Sequence, residues 1–260
     1  PILERNDRGA VAHLTLNTPD RLNALSDAML AALVDEFTRL EVDKSIRAIV
    51  LSGAGKAFCA GHDLKEMTAG RQAADGGAAY FDDLFKRCAT MMQMIPRLPQ
   101  PVIAQVHGIA TAAGCQLVAT CDLAVAATDT RFGVNGVNVG LFCSTPMVAL
   151  SRNVGRKQAF EMLATGDFVS ADRAVELGLI NRAVPPAELA GATAALADQI
   201  AAKPSSAIKI GKRAFYGQIE MPLDQAYDNT VRAMVENMLH RDTEEGIDAF
   251  IGKRHPAWTQ

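Results

Sequence analysis

The stretch "PVIAQVHGIATAAGCQLVATCDLAVAAT", Pro101 to Thr128, holds a complete structural unit. Val102, Ile103, Ala104 and Val106 make a buried-strand run, and "IATAAG" follows with small residues. "CQLVATC" then reads as a short helix, after which "DLAVAAT" returns to strand. The first amides of a helix have no partner inside it, so a strand that turns directly into a helix presents N–H groups able to hold an anion. A second junction of the same kind lies upstream. "RAIVLS" (Arg47 to Ser52) is β-rich and leads through "GAGK" into "AFCAGHDLKEM", where small residues precede His62 and Asp63. Asp63, just before "LKEM", stands where a helix N-cap belongs.

The flanking chain continues the alternation. "AVAHLTLN" (Ala10 to Asn17) reads as a strand, and Ser26 caps a helix in which Leu30, Leu33, Val34 and Phe37 recur at helical spacing. Thr68 to Ala79 is Gly- and Ala-rich and lacks periodicity. After it comes an amphipathic helix with Phe81, Leu84, Phe85, Cys88, Met91, Met92 and Ile95, expected to end at Pro96, Pro99 and Pro101. From Ser144 the pattern is mostly helical with breaks at Gly155, Gly166 and Gly178, and Pro204 to Arg254 reads as three helices. The expected architecture is α/β, with a core over residues 1–200 and a helical region over 201–260 used for packing on neighbouring subunits.

Composition excludes several classes. The chain has 260 residues, 49% of them hydrophobic, enough for one large core. Its net charge of −3 is dispersed in both signs, without the clustered Lys and Arg of a nucleic-acid footprint. Cys59, Cys88, Cys115, Cys121 and Cys143 show neither CxxC nor Cys/His metal spacing, so no metal site is expected. They read as reduced thiols of a cytoplasmic compartment, with the mitochondrial matrix the alternative if a presequence has been removed. No apolar run approaches the ~18 residues that a membrane span needs.

Four stretches carry a resemblance. "KAFCAGHDLKEM" (Lys56 to Met67), "HGIATAAGCQLVATCDLAVA" (His107 to Ala126), "RFGVNGVNVGL" (Arg131 to Leu141) and "EGIDAFIGKR" (Glu245 to Arg254) resemble the signature regions of the enoyl-CoA hydratase/isomerase family, the crotonase superfamily. The resemblance runs from about Ala10 to the C-terminus. It implies a spiral of repeated ββα units with a C-terminal helical region, assembled as a trimer or a dimer of trimers (a hexamer). It also implies a lyase or isomerase of fatty acid metabolism with no cofactor beyond coenzyme A as part of the substrate. Two backbone amides, here those of His62 and Ala113, would bind the thioester oxygen of an acyl-CoA. Small neighbours are needed there because the backbone must approach that oxygen to hydrogen-bond distance.

Around this hole the resemblance places Ala60, Asp63, Leu64, Lys65 and Gly114 against the substrate, with Phe250 and Lys253 toward the CoA end. Helix capping for Asp63, a solvated face for Lys65, a core Phe250 and a surface Lys253 are the plainer alternatives. The His62 ring is expected to line or cap the adenine end, with a role as base the lesser reading.

The departures concern the chemistry. Hydratases of the family place one glutamate three residues after the second donor and another about twenty residues on; here those positions hold Gln116 and Gly136. Neither can exchange a proton at neutral pH, and each positioned acid–base group contributes typically ~10²–10⁴ in rate. Standard hydration is therefore expected to be weak or absent. Gln116→Glu with Gly136→Glu is expected to restore part of it, limited by a left-handed backbone at Gly136. An acyl-CoA-binding or regulatory protein without catalysis and a thioesterase-like hydrolase using Ser144 or Cys143 are the other readings.

Overall fold

The computed structural model describes residues 1–259. Strands β1 (Leu3–Arg8) and β2 (Val11–Leu16) form an antiparallel hairpin. Only β2 is legible in the sequence, because LERNDR exposes most of its side chains and carries no apolar alternation. Arg5 ties β1 down, reaching Glu36 at 3.0 Å and Asp43 at 2.8 Å. Helix α1 (Asp27–Val42) starts where Ser26 accepts the Met29 amide, and it buries Leu30, Leu33 and Phe37.

After β3 (Ala48–Gly53), α2 (Leu64–Gly70) begins at the Asp63 cap, and α3 (Ala78–Arg97) follows. Helix therefore claims both ends of the aperiodic Thr68 to Ala79 stretch. Pro96 lies inside the last turn of α3, which stops one residue later at Arg97, so the helix ends among the three prolines as expected.

Next come β4 (Val102–Val106), β5 (Ile109–Thr111), α4 (Ala113–Thr120), β6 (Leu123–Ala127) and β7 (Arg131–Gly133). Helix α4 starts two residues before "CQLVATC", inside the small-residue elbow. A 3-10 turn, Asn135–Val139, precedes α5 (Pro146–Asn153) and α6 (Arg156–Thr165). Beyond them lie β8 (Val169–Ser170), α7 (Ala171–Glu176), β9 (Arg182–Val184) and α8 (Leu189–Ala201). The mostly helical reading after Ser144 missed β8 and β9.

The main sheet runs β1-β2-β3-β4-β6-β9, parallel from β2 onward, and a smaller one runs β5-β7-β8. Successive units each give one strand to each sheet before turning into helix: β4 and β5 lead into α4, and β6 and β7 lead toward α5. This is the ββα repeat that the resemblance implies. The main sheet is buried on both faces, as parallel sheets are. Leu14, Ile49 and Ala104 face the large core with α1, α3 and α4, whereas Val50, Ile103 and Val125 meet Leu189, Leu196 and Ala197 of α8.

The end of the chain forms α9 (Ser205–Gln218), α10 (Leu223–Met238) and α11 (Arg241–Ile251). Helix α9 is pinned to the core by the buried Lys212. Its Nζ donates to the carbonyls of Ile95 and Gln100, both at 2.9 Å, and pairs with Asp122 at 2.6 Å. Asp122 also accepts from Tyr216 and from the Val102 amide. Helix α10 packs on α9, and α11 on α10.

Candidate active site

The two small-residue elbows fold against each other. Cys59 bridges Ala110 of β5, and the Thr111 amide donates to the Cys59 carbonyl at 3.1 Å. Contact is so close that a Cβ at Gly114 would lie 2.1 Å from the Cys59 oxygen. Gly61 has φ +91°, and a Cβ there would lie 3.0 Å from the Ala112 Cβ and 3.3 Å from the Ala113 nitrogen. Both glycines are thus required by close approach of backbone, and Gly61 also by its left-handed conformation.

The peptide bearing the His62 N–H therefore starts at a residue with no room for a side chain between it and the Ala113 amide. Ala113 is the first residue of α4, so its N–H has no intrahelical partner. Among the described residues, neither the His62 nor the Ala113 amide donates to any protein group. Two backbone donors without a protein acceptor thus belong to adjoining elbows framed by small residues.

Ala112, which aims the Ala113 amide, has φ +50° and ψ −120°, a conformation that an L residue adopts only under strain. Its own N–H donates to the Gly133 carbonyl at 2.9 Å. Next to it the Thr111 hydroxyl donates to the Asn135 side-chain oxygen, and Asn135 Nδ2 donates to the Gly166 carbonyl at 2.7 Å. These holding residues escaped the sequence reading. The small residues of "IATAAG" signalled the turn but not its handedness.

The His62 ring points toward α3, edge-on to Phe85 at 5.6 Å, with Nδ1 3.4 Å from the Leu25 carbonyl. A carbonyl only accepts, so Nδ1 carries the proton and Nε2 is left as a buried, unpartnered acceptor. Burial pushes the His62 pKa down from its ordinary value, which keeps the ring neutral near pH 7.

Asp63 accepts from the amides of Lys65 and Glu66 and pairs with Arg21 at 2.9 Å, so its carboxylate is engaged as the cap of α2. Ala60 lies beside it, half-buried, its N–H donated to the Leu22 carbonyl, while Leu64 and Lys65 are exposed. Phe250, 85% exposed on α11, is no core residue in this chain; Lys253, just beyond, is exposed as well. Phe250 stands on α11, which packs against α10, and Lys253 follows the end of that helix.

Gln116 lies one helical turn after Ala113, on the same face of α4, 5% exposed, and its side-chain oxygen has no partner. Gly136 differs from expectation. Its backbone is not left-handed; what excludes a side chain is the return of the chain over it. A Cβ at Gly136 would lie 2.1 Å from the Leu141 carbonyl oxygen and 2.9 Å from Cys143 Sγ, to which the Gly136 amide donates at 3.3 Å. Burial pushes the Cys143 thiol pKa up, and Ser144 Oγ donates only to the Phe142 carbonyl at 3.4 Å. Neither has a base in hydrogen-bond contact. Among the described residues no group of three or more His, Cys, Asp and Glu is placed to hold a metal.

Comparison with known proteins follows the same lines. The sequence profile described as Enoyl-CoA hydratase/isomerase matches residues 6–260. A structure of an enoyl-CoA hydratase from Mycobacterium smegmatis superposes with a TM-score of 0.96 at 56% identity, covering 100% of both chains. Human enoyl-CoA hydratase domain-containing protein 3 superposes at 0.94 with 43% identity, covering 99% of this chain and 100% of that one. The mitochondrial protein of the same name from Xenopus laevis is 44% identical over 100% of this chain and 86% of its own length. "GVNVGLFCSTP" (Gly136 to Pro146) resembles that group in sequence too.

Proposed function

The chain belongs to the enoyl-CoA hydratase/isomerase family, and from that premise we propose that it binds acyl-CoA thioesters and stabilises a thioester enolate between the amides of His62 and Ala113. The observation that carries this reading is the interlocked pair of elbows, which leaves two neighbouring backbone donors free. Enolate formation or decarboxylation needs chiefly such a hole, and removing one donor from comparable holes costs ~10²–10³ in rate. Ala60, Leu64, Lys65 and Gly114 border the elbows and would meet the thioester and the start of the CoA arm; Asp63 shapes that border as the cap of α2. Phe250 on α11 and Lys253 just after it would contact the CoA end. Calorimetry should detect acetyl-CoA and crotonyl-CoA at micromolar to millimolar affinity. No heat with several acyl-CoA thioesters would overturn the reading.

Water addition through two carboxylates is not part of this function. Gln116 is a neutral amide, and Leu141 occupies the space that a side chain at position 136 would need. That closure favours, as a second reading, an acyl-CoA-binding protein without turnover. Hydrolysis through Ser144 or Cys143 lacks support, since neither side chain meets a base. The relatives named mitochondrial are consistent with the matrix, and the bacterial structure at 56% identity is consistent with the cytoplasm. The exposed apolar side chains of α10 favour assembly into a trimer or a dimer of trimers through the C-terminal helices.

A further inference from the structure

The strained residue of the second elbow is held from outside the elbow. At φ +50° and ψ −120°, Ala112 sets the plane of the peptide that carries the Ala113 N–H. Its own amide donates to the Gly133 carbonyl at 2.9 Å, and its carbonyl accepts the Gln116 amide at 3.0 Å. These bonds make the elbow depend on β5 and β7, which pair over three residues, with Thr111 opposite Gly133 at the end of the ladder. So short a ladder is a weak clamp for a conformation that an L residue resists.

A side chain completes the clamp. The Asn135 amide lies directly over Gly133, where a Cβ would come within 2.6 Å of its Oδ1 and 2.7 Å of its Nδ2. Nδ2 donates to the Gly166 carbonyl at 2.7 Å, which fixes the orientation of the amide because a carbonyl only accepts. Oδ1 therefore faces Thr111, whose hydroxyl donates to it. One side chain thus covers the strand that holds Ala112, grips the residue before Ala112, and ties both to the end of α6. That far end is itself fixed. Gly166 is the left-handed C-cap of α6, at φ +67°, and its carbonyl also accepts from Asn138 Nδ2 at 3.2 Å. Both asparagines of "NGVN" (Asn135 to Asn138) converge on this one acceptor.

We propose that Asn135 is a positioning residue: through Thr111 and Gly133 it keeps Ala112 in its strained conformation, and so keeps the Ala113 amide aimed at the thioester oxygen. It acts through the backbone and need not touch the substrate. The proposal rests on the acyl-CoA reading above and adds that the aim of one donor is set outside both elbows, by the 3-10 turn and the end of α6. Without Asn135, Ala112 is free to relax to an ordinary conformation. That rotates the Ala113 peptide away while leaving the His62 donor and the CoA-facing surface in place.

The test uses butyryl-CoA with an isotope label at the thioester carbonyl, a ligand that neither hydration nor isomerisation consumes. Infrared difference spectra report the carbonyl, and calorimetry compares butyryl-CoA with free CoA. In wild type the two donors should lower the carbonyl stretching frequency. In Asn135→Ala roughly half of that downshift should disappear, since one of two donors is lost. Butyryl-CoA should then bind about three- to tenfold more weakly, the worth of one neutral hydrogen bond, with free CoA unchanged. Thr111→Val, which is nearly isosteric, should do the same, and Thr111→Ser, which keeps the hydroxyl, should return the wild-type frequency. The Val and Ser pair decides the matter even where Asn135→Ala fails to fold. A full downshift in Asn135→Ala or Thr111→Val would overturn the proposal. Equal losses of butyryl-CoA and free CoA affinity would overturn it too, by showing a general loosening of the fold. No downshift in wild type would instead bring down the acyl-CoA reading on which it stands.

Discussion

Position 136 shows how the backbone can close over a place where the family resemblance implies a glutamate. The sequence has glycine there and suggests a left-handed conformation. In the structure Gly136 is held under the Leu141 carbonyl, with Cys143 Sγ accepting its amide. A side chain there needs the 136–143 turn to reopen, a backbone movement and not a rotamer change. Gln116→Glu with Gly136→Glu is therefore expected to lower stability by about 3 kcal/mol, in the upper range for overpacking. Hydration should remain at background. Urea unfolding and a crotonyl-CoA hydration assay check both parts, and a gain of hydration with unchanged stability would contradict this assignment. Ala112 shows the limit of legibility at this scale. A glycine at a left-handed position announces itself, whereas an alanine forced there by the Gly133 and Asn135 contacts leaves no mark in the sequence.

Among the elements, those with several turns or alternations were legible and the short ones were not. α1 and α3 repeat an apolar face over four turns or more, and the Ser26 and Asp63 caps mark two helix starts. Strands β5, β7 and β9 have three residues each, too few for an alternation to stand out. Strand β1 fails for another reason: polar side chains hold it in place. Arg5 bridges Asp7, Glu36 and Asp43, and the guanidinium, with the Ser45 hydroxyl, depresses the Asp43 pKa to about 2. A carboxylate with a depressed folded-state pKa contributes stability above its unfolded value near 3.8, and that contribution is lost as pH falls toward 2. Wild-type protein should therefore lose stability between pH 4 and pH 2, and Arg5→Gln should lose less over the same window. Urea midpoints at the two pH values give the comparison, and equal losses would show that Arg5 does not anchor β1 electrostatically.

At the scale of the whole molecule, the spiral core and the terminal helices serve different ends. The core brings two distant elbows into register, while α9 is pinned by Lys212 and α10 turns Leu223, Tyr227, Val231, Met234 and Met238 to solvent. Leu239, directly after α10, is 83% exposed. An apolar face of this size on a water-facing helix fits the proposed subunit contact, and sedimentation should give a trimer or its dimer at micromolar concentration; a stable monomer would refute this. The order of elements and the two elbows could be read from residue patterns. The way they interlock could not, because it depends on strands of three residues and on contacts between segments fifty residues apart.

The ultraviolet absorbance of crotonyl-CoA mixed with stoichiometric protein tests most directly whether the two amides polarise a thioester without the means to add water to it. Two amides on the thioester oxygen draw charge along the conjugated system and should shift its band to longer wavelength. With no carboxylate pair to deliver water, the shifted band should persist for minutes. Rapid bleaching at an ordinary enzymatic rate of ~10 s⁻¹, or a spectrum that does not move at all, would contradict the account.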